Sequence, residues 1–264
     1  MIELNGARVL LTGATGGLGQ AIARALHARG AVLTLTGRRV EVLEPLATEI
    51  GGRAIEADLA LPDAPARLLE QVGEVDVLIA NAALPGSGRL DSFSVEEIDR
   101  ALFVNLRAPM LLAQTLSQRM VARGSGHMVF VSSLAGKAAA PGSSVYSATK
   151  FGLRGFALGL REDLASKGVG VSVVLPGFIR GAGMFHESGA KLPPYVGTKT
   201  PDDVSRAVIK AIDENRAELD VAPLPLRAGT LLASLAPGPI GAIQRKLGAV
   251  ATSDAIGRGQ TEKR

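Results

Sequence analysis

The chain contains no cysteine and no tryptophan, and only three histidines, His27, His127 and His186. Without cysteine there is no thiol nucleophile, no disulfide framework and no thiolate site for zinc or an iron–sulfur cluster. Histidines this scattered argue against a histidine-rich metal centre, so no metal is expected. Aromatic residues make up only 3% of the chain against 47% hydrophobic residues, so the core must be built from Ala, Val, Leu and Ile. Charge of neither sign dominates. The 29 basic and 25 acidic side chains leave a net +4, too small an excess, with so few aromatics, to suggest a dedicated nucleic-acid binder. No stretch reads as a clean membrane helix of about 20 apolar residues. Met1-Ile2-Glu3-Leu4 lacks the basic start and apolar run of a secretory signal. The expected placement is cytoplasmic.

What the sequence does have is alternation. Short β-branched runs at Arg8–Thr12, Ala31–Thr36, Arg53–Ala57, Val75–Ala80, His127–Ser132, Val169–Leu175 and Glu218–Ala222 read as strands. Between them lie helical patterns at about Leu18–Ala28, Val40–Ile50, Ala64–Val72, Ser94–Ala122 with a bend at Pro109, Tyr146–Lys167 and Pro201–Asn215. Strands spaced by helices predict a doubly wound, mostly parallel sheet covered on both faces, a Rossmann-like three-layer αβα fold. At 264 residues, with no repeat and no Pro/Gly/Ser-rich linker, residues 1–264 are expected to form a single domain.

The last stretch, 221–264, differs from the rest. From Val221 to Ser253 no acidic residue occurs, and the basic ones are Arg227, Arg245 and Lys246. One reading is an extension folded over a substrate cleft or an interface. The other is an amphipathic segment making peripheral contact with a membrane. Pro237 and Pro239 interrupt any spanning helix.

Directly after the first strand stands Thr12-Gly13-Ala14-Thr15-Gly16-Gly17-Leu18-Gly19, a glycine turn that opens a helix. The N–H groups of such a helix start can face a diphosphate. Gly13 would permit the turn, Gly17 would leave room for phosphate, and Gly19 would let the helix pack closely. The competing reading, a purely structural turn, is weakened by the turn's place at the head of a βαβ pattern. The second strand runs out into Gly37-Arg38-Arg39, where a site for unphosphorylated ribose would favour a carboxylate. Two guanidiniums suit a 2′-phosphate instead, which points to NADP(H). Alternatively, the arginines only cap a solvated helix start. Asp58-Leu59 follows the third strand and suits an adenine amino group and ring edge. Asn81-Ala82-Ala83 follows the fourth, at the carboxyl edge where open α/β sheets bind ligands.

Ser133 closes the fifth strand, Tyr146 lies thirteen residues on, and Lys150 follows four residues later on the same helical face. A nearby ammonium should lower the phenol pKa toward working pH. Tyr146 could then exchange a proton with a carbonyl or alcohol oxygen that Ser133 also hydrogen-bonds. Arg180 reads as bracing the following segment or meeting an anionic substrate, and His186 as a loop residue or part of a pocket wall. His27 and His127 read as structural.

These motifs together resemble the short-chain dehydrogenase/reductase family, with matches from about residue 7 to 215 at Thr12–Gly19, Asp58, Asn81-Ala82-Ala83, Asn105, Ser133, Tyr146-Ser-Ala-Thr-Lys150 and Pro176-Gly177. The resemblance implies hydride exchange at nicotinamide C4 with a ketone or secondary alcohol. It gives Asn105 a place at a helix distortion, holding a water that links to Lys150. It also has Lys150 bind the nicotinamide ribose, Pro176-Gly177 border the nicotinamide, and the Ile179 backbone hold its carboxamide. Helices Ser94–Ala122 and Tyr146–Lys167 would form the interface of a homodimer or homotetramer. The chain departs from the family pattern at Ala83, where glycine is usual, and at Gly181, where threonine is frequent. Met184, Phe185, Leu224, Leu226, Leu231 and Leu232 suggest an apolar pocket, hence an apolar substrate such as a lipid ketone. A noncatalytic NADP-binding regulator and a nucleotide-sugar epimerase or dehydratase are the alternatives.

Overall fold

The computed structural model describes residues 2–193, 196–246 and 248–261. Among them the elements run β1 (Arg8–Thr12), α1 (Gly17–His27), β2 (Val32–Gly37), α2 (Val40–Glu49), β3 (Arg53–Glu56), α3 (Ala64–Val72) and β4 (Val77–Ala80). There follow α4 (Val95–Leu102), α5 (Ala108–Arg123), β5 (Gly126–Val131), α6 (Ser144–Leu164), β6 (Val169–Pro176), α7 (Gly183–Glu187), α8 (Pro201–Asp213) and β7 (Glu218–Val221). The chain ends in α9 (Leu224–Leu235), α10 (Pro237–Lys246) and α11 (Ala249–Arg258). Leu247 and residues 262–264 of the extension lie outside the described residues.

The seven strands form one sheet in the order β3-β2-β1-β4-β5-β6-β7, every neighbour parallel. Parallel strands need crossovers, and the helices supply them on both faces. Side-chain alternation then divides the core in two. Leu10, Leu78, Met128, Phe130 and Val173 pack with α3, α5 and α6 on one face. Val9, Leu11, Val77, Ile79, Val129 and Val174 pack with α1, α2 and α8 on the other. Strand order reverses between β1 and β4, so a crevice opens beyond their carboxyl ends. That crevice positions the site.

The expected strands are found within a residue or two, but the long helix over 94–122 breaks differently. The distortion is a π-helical segment, Phe103–Arg107, lying just before Pro109 rather than a bend at it. There the Ala108 N–H reaches back five residues to the Phe103 carbonyl, and Pro109 follows in the first turn of α5. Ser94 starts α4 with a capping box to Glu97, and Thr200 does the same for α8 with Asp203. No helix among the described residues is long and apolar enough to cross a membrane.

Candidate active site

The phosphate turn is built by its neighbours. Thr12 Oγ1 accepts hydrogen bonds from the backbone N–H groups of Asn81 and Ala82, both at 3.1 Å. Asn81 Nδ2 in turn donates to the carbonyls of Thr12 and Gly13, each at 3.1 Å. The end of β4 thus clamps the turn after β1. A Cβ on Gly13, at φ +66°, would meet Ala82 Cα at 2.7 Å, so the clamp requires glycine there. A Cβ on Gly19 would strike the Gly13 carbonyl. Gly17 has a neighbour the sequence did not reveal: a Cβ there would collide with Ala182, in the segment after β6. Its lack of a side chain admits that segment as well as leaving space for a ligand.

Helix α1 begins at this turn with Gly16 as its N-cap, no side chain capping it and no acidic residue in the first turn. The first-turn N–H groups and the positive end of the helix dipole are therefore left for an anion. That is the donor set a dinucleotide diphosphate needs. Arg38 and Arg39 are exposed beside it, and Arg39 donates to the Thr15 carbonyl within the turn. The guanidinium lies against the phosphate turn instead of capping α2, whose N-cap has no side-chain bond. Asp58 Oδ1 accepts from the Ala60 N–H at 3.0 Å, an Asx turn that holds its carboxylate in place, and Leu59 is buried beside it.

At the other end of the crevice, the Ser133 hydroxyl lies close enough to the Tyr146 phenol to favour its ionised form. Ser133 Oγ is further fixed by donating to the Pro176 carbonyl and accepting from the Ala135 N–H, both at 3.2 Å. Lys150 is buried, its Nζ donating to the Val131 carbonyl at 3.0 Å and lying 5.6 Å from the Tyr146 ring centre.

The protonation states differ from the expectation. Burial pushes the Tyr146 phenol up to about 12, with the Ser133 bond opposing it, while burial alone lowers the Lys150 ammonium to about 8. Desolvation is the largest influence on both groups, and the Lys150 ammonium is turned to a main-chain oxygen.

Asn105 sits in the π-helical segment, as the resemblance implied, but its side chain is already committed. Oδ1 accepts from the Leu84 N–H at 2.6 Å, and Nδ2 donates to the Leu84 carbonyl at 2.9 Å and to Thr149 Oγ1 at 3.3 Å. The amide therefore anchors the loop after Asn81-Ala82-Ala83.

One cavity of about 1030 Å³ joins the two ends. Of the sequence-picked site residues, only Asn105 is not in its wall. Gly13, Thr15, Gly16, Gly17, Leu18, Gly19, Arg38, Arg39, Asp58, Leu59, Asn81, Ala82, Ala83, Ser133, Tyr146, Lys150, Pro176, Gly177 and Ile179 all line it. Phe178 O and Arg180 N are bonded to Lys199, which turns Ile179's own N–H and C=O away from that strand. Where threonine is missing at Gly181, other contacts hold the segment: Phe178 stacks edge-on with Phe185 at 5.1 Å, and Arg180 bonds Thr198. Arg180 is thus a brace. His186 is exposed, and His127 is buried against Ser172 Oγ at 2.9 Å, with burial lowering its pKa to about 4.

The extension forms the far wall, and the sequence misplaced its leucines. Leu226, Met184 and Phe185 line the cavity, but Leu224, Leu231 and Leu232 face outward. The inward side of α9 carries Gly229 and Thr230 instead. Ile240, Ile243, Ile256 and Gln260 were not anticipated in the wall. Gln260 Nε2 donates to the Met184 carbonyl at 3.1 Å, while its buried Oε1 has no partner among the described residues. The pairing ties the chain's last turn to α7. Only a tail known to fold back could have revealed it. Among the described residues no three His, Asp or Glu side chains converge as metal ligands.

Known proteins resemble this chain in sequence and in fold. Ketoacyl reductase HetN of Nostoc is 37% identical over 91% of this chain and 87% of its own. Nodulation protein G of Rhizobium meliloti is 40% identical over 69% of this chain and 77% of its own. A short-chain dehydrogenase from Sphingobium yanoikuyae, solved in complex with NADPH, superposes with a TM-score of 0.76 at 28% identity, covering 91% of this chain and 95% of that one. Residues 7–193 match the short chain dehydrogenase family. With the glycine turn, the switch-point crevice and the paired Ser133 and Tyr146 already in place, the chain belongs to the short-chain dehydrogenase family and is an oxidoreductase.

Proposed function

We propose that the protein is a single-domain NADP(H)-dependent carbonyl reductase that converts an apolar ketone to a secondary alcohol. The observation that carries this reading is the joining, in one cavity, of an uncapped helix start flanked by two arginines with a Ser133–Tyr146 pair and a buried Lys150. A bound nicotinamide cofactor supplies the hydride. The chain's own residues do the rest. The α1 N–H groups hold the diphosphate, Arg38 and Arg39 the 2′-phosphate, and Asp58 with Leu59 the adenine. Asn81, Ala82 and Ala83 support the adenosine side, while Pro176, Gly177 and Ile179 border the nicotinamide.

Ser133 holds the substrate oxygen and Tyr146 donates the proton to it. Lys150 binds the ribose and returns a proton to Tyr146, and a water at Asn105 continues the relay from Lys150 to solvent. A phenol kept protonated by burial suits reduction, where it acts as the acid. The walls contributed by Met184, Phe185, Leu226, Ile240 and Ile243 suit an apolar substrate, in keeping with a ketoacyl reductase among the relatives. Exposed Leu102, Met110 and Phe151 on α4, α5 and α6 supply an apolar face for a homodimer or tetramer. A cytoplasmic setting fits this chemistry.

The cofactor preference tests the reading directly. Isothermal titration should show NADPH binding at least about tenfold more tightly than NADH, since two guanidiniums meet the extra phosphate. The double variant Arg38→Ala/Arg39→Ala should lose most of that preference with NADH affinity little changed. Equal affinities for the wild type would refute the NADP(H) assignment.

A further inference from the structure

Helix α9 has two unlike faces. Leu226, Gly229 and Thr230 look into the cavity. Leu224, Leu231, Leu232 and Leu235 look outward, between 55% and 75% exposed. Ile243 of α10 belongs to both surfaces, lining the cavity while remaining half exposed. Helices α9 and α10 pack on one another, so the exposed leucines and the cavity rim at Ile243 lie on neighbouring helices. Apolar exposure of this kind marks a surface that something covers.

Charge decides between the candidates to cover it. From Val221 to Ser253 there is no carboxylate, while Arg227 is exposed one turn from Leu224 and Leu231 on α9, and Arg245 and Lys246 are exposed at the end of α10. Arg227 has only a loose partner, Asp220 at 3.9 Å. A second copy pairing through the same patch would set these cations near their own equivalents, with no acid in the segment to answer them. A bilayer carrying anionic headgroups answers them and buries the leucines at once. The helix is also short and ends before Pro237, so it can lie in the plane of such a surface and cannot span it.

We propose that α9 and α10 dock the protein on an anionic lipid bilayer, with the rim at Ile243 opening toward it. The docking stands apart from the carbonyl-reductase reading. The passage of an apolar ketone from the bilayer into the cavity rests on that reading. Sedimentation of the full chain with vesicles of phosphatidylcholine, with and without phosphatidylglycerol, tests the docking without any turnover. The wild type should bind the phosphatidylglycerol vesicles at least about tenfold better than the neutral ones. Leu231→Ser/Leu235→Ser should weaken binding to both by about tenfold or more, and Arg245→Ser/Lys246→Ser should remove the preference for the anionic vesicles. An unchanged thermal midpoint shows that each variant is folded, and none of these four residues lines the cavity. The proposal fails if the wild type binds neither vesicle, or if the leucine variant binds as the wild type does. It also fails if the wild type ignores vesicles but forms a dimer that the leucine variant abolishes, because the patch would then join two copies of the chain.

Discussion

Replacing Tyr146 by Phe should lower kcat for ketone reduction by at least about 100-fold while leaving NADPH affinity nearly intact. The phenol stands beside Ser133, whose hydroxyl is independently fixed by the Pro176 carbonyl and the Ala135 N–H. Removing one oxygen should therefore delete the proton donor without moving the group that holds the substrate. No histidine can substitute for it: His127 is sealed against Ser172, and His27 and His186 are exposed away from the pair. The pH dependence has a sign. A phenol held up to about 12 stays protonated across the neutral range, so its own ionisation should not limit reduction there. Oxidation of the alcohol needs the phenolate and should accelerate as pH rises. Stopped-flow and steady-state kinetics in both directions would check this. Near-normal turnover by Tyr146→Phe would mean that the proton comes from elsewhere.

The sheet and the cofactor end of the crevice were legible in the sequence because local signals agree with the fold. Val77-Leu-Ile-Ala80 is apolar at every position, which only a strand buried on both faces requires. Gly13 and Gly19 each mark a close backbone approach that a side chain would block. The extension was not legible for the opposite reason. Helix α10 opens Pro-Gly-Pro and carries Gly241, so residue propensity gives no signal of a helix there. In α9 the larger residues point to solvent and Thr230 and Ala233 are buried, so hydrophobicity assigned the faces in reverse. Asn105 was found for its position but not for its bonds, since only the folded chain brings Leu84 to its amide.

Lys150 should be replaceable at a gain in stability and a loss of function. Its side chain is 2% exposed, with the Val131 carbonyl as hydrogen-bond acceptor and no carboxylate bonded to it. Burial lowers its pKa from 10.5 to about 8, so in the folded chain the ammonium is held at a cost. At roughly 1.4 kcal/mol per pH unit, and after allowing about 1 kcal/mol for the carbonyl that loses its donor, Lys150→Met should stabilise the chain by on the order of 2 kcal/mol at pH 7. For a domain of this size that raises Tm by roughly 4–8 °C. Below pH 8 the lysine is protonated both folded and unfolded, and the full penalty applies. Between about 8 and 10.5 the folded lysine sheds its proton while the unfolded one keeps it, so wild-type stability recovers and the variant's advantage should shrink. In the same variant, kcat and cofactor affinity should both fall if, as proposed, one ammonium serves the ribose and the proton path to Tyr146. Calorimetry from pH 6 to about 10 alongside NADPH titration separates the two effects. A less stable Lys150→Met at pH 7 would show that the buried ammonium is not a net cost. Retained turnover would remove Lys150 from the chemistry.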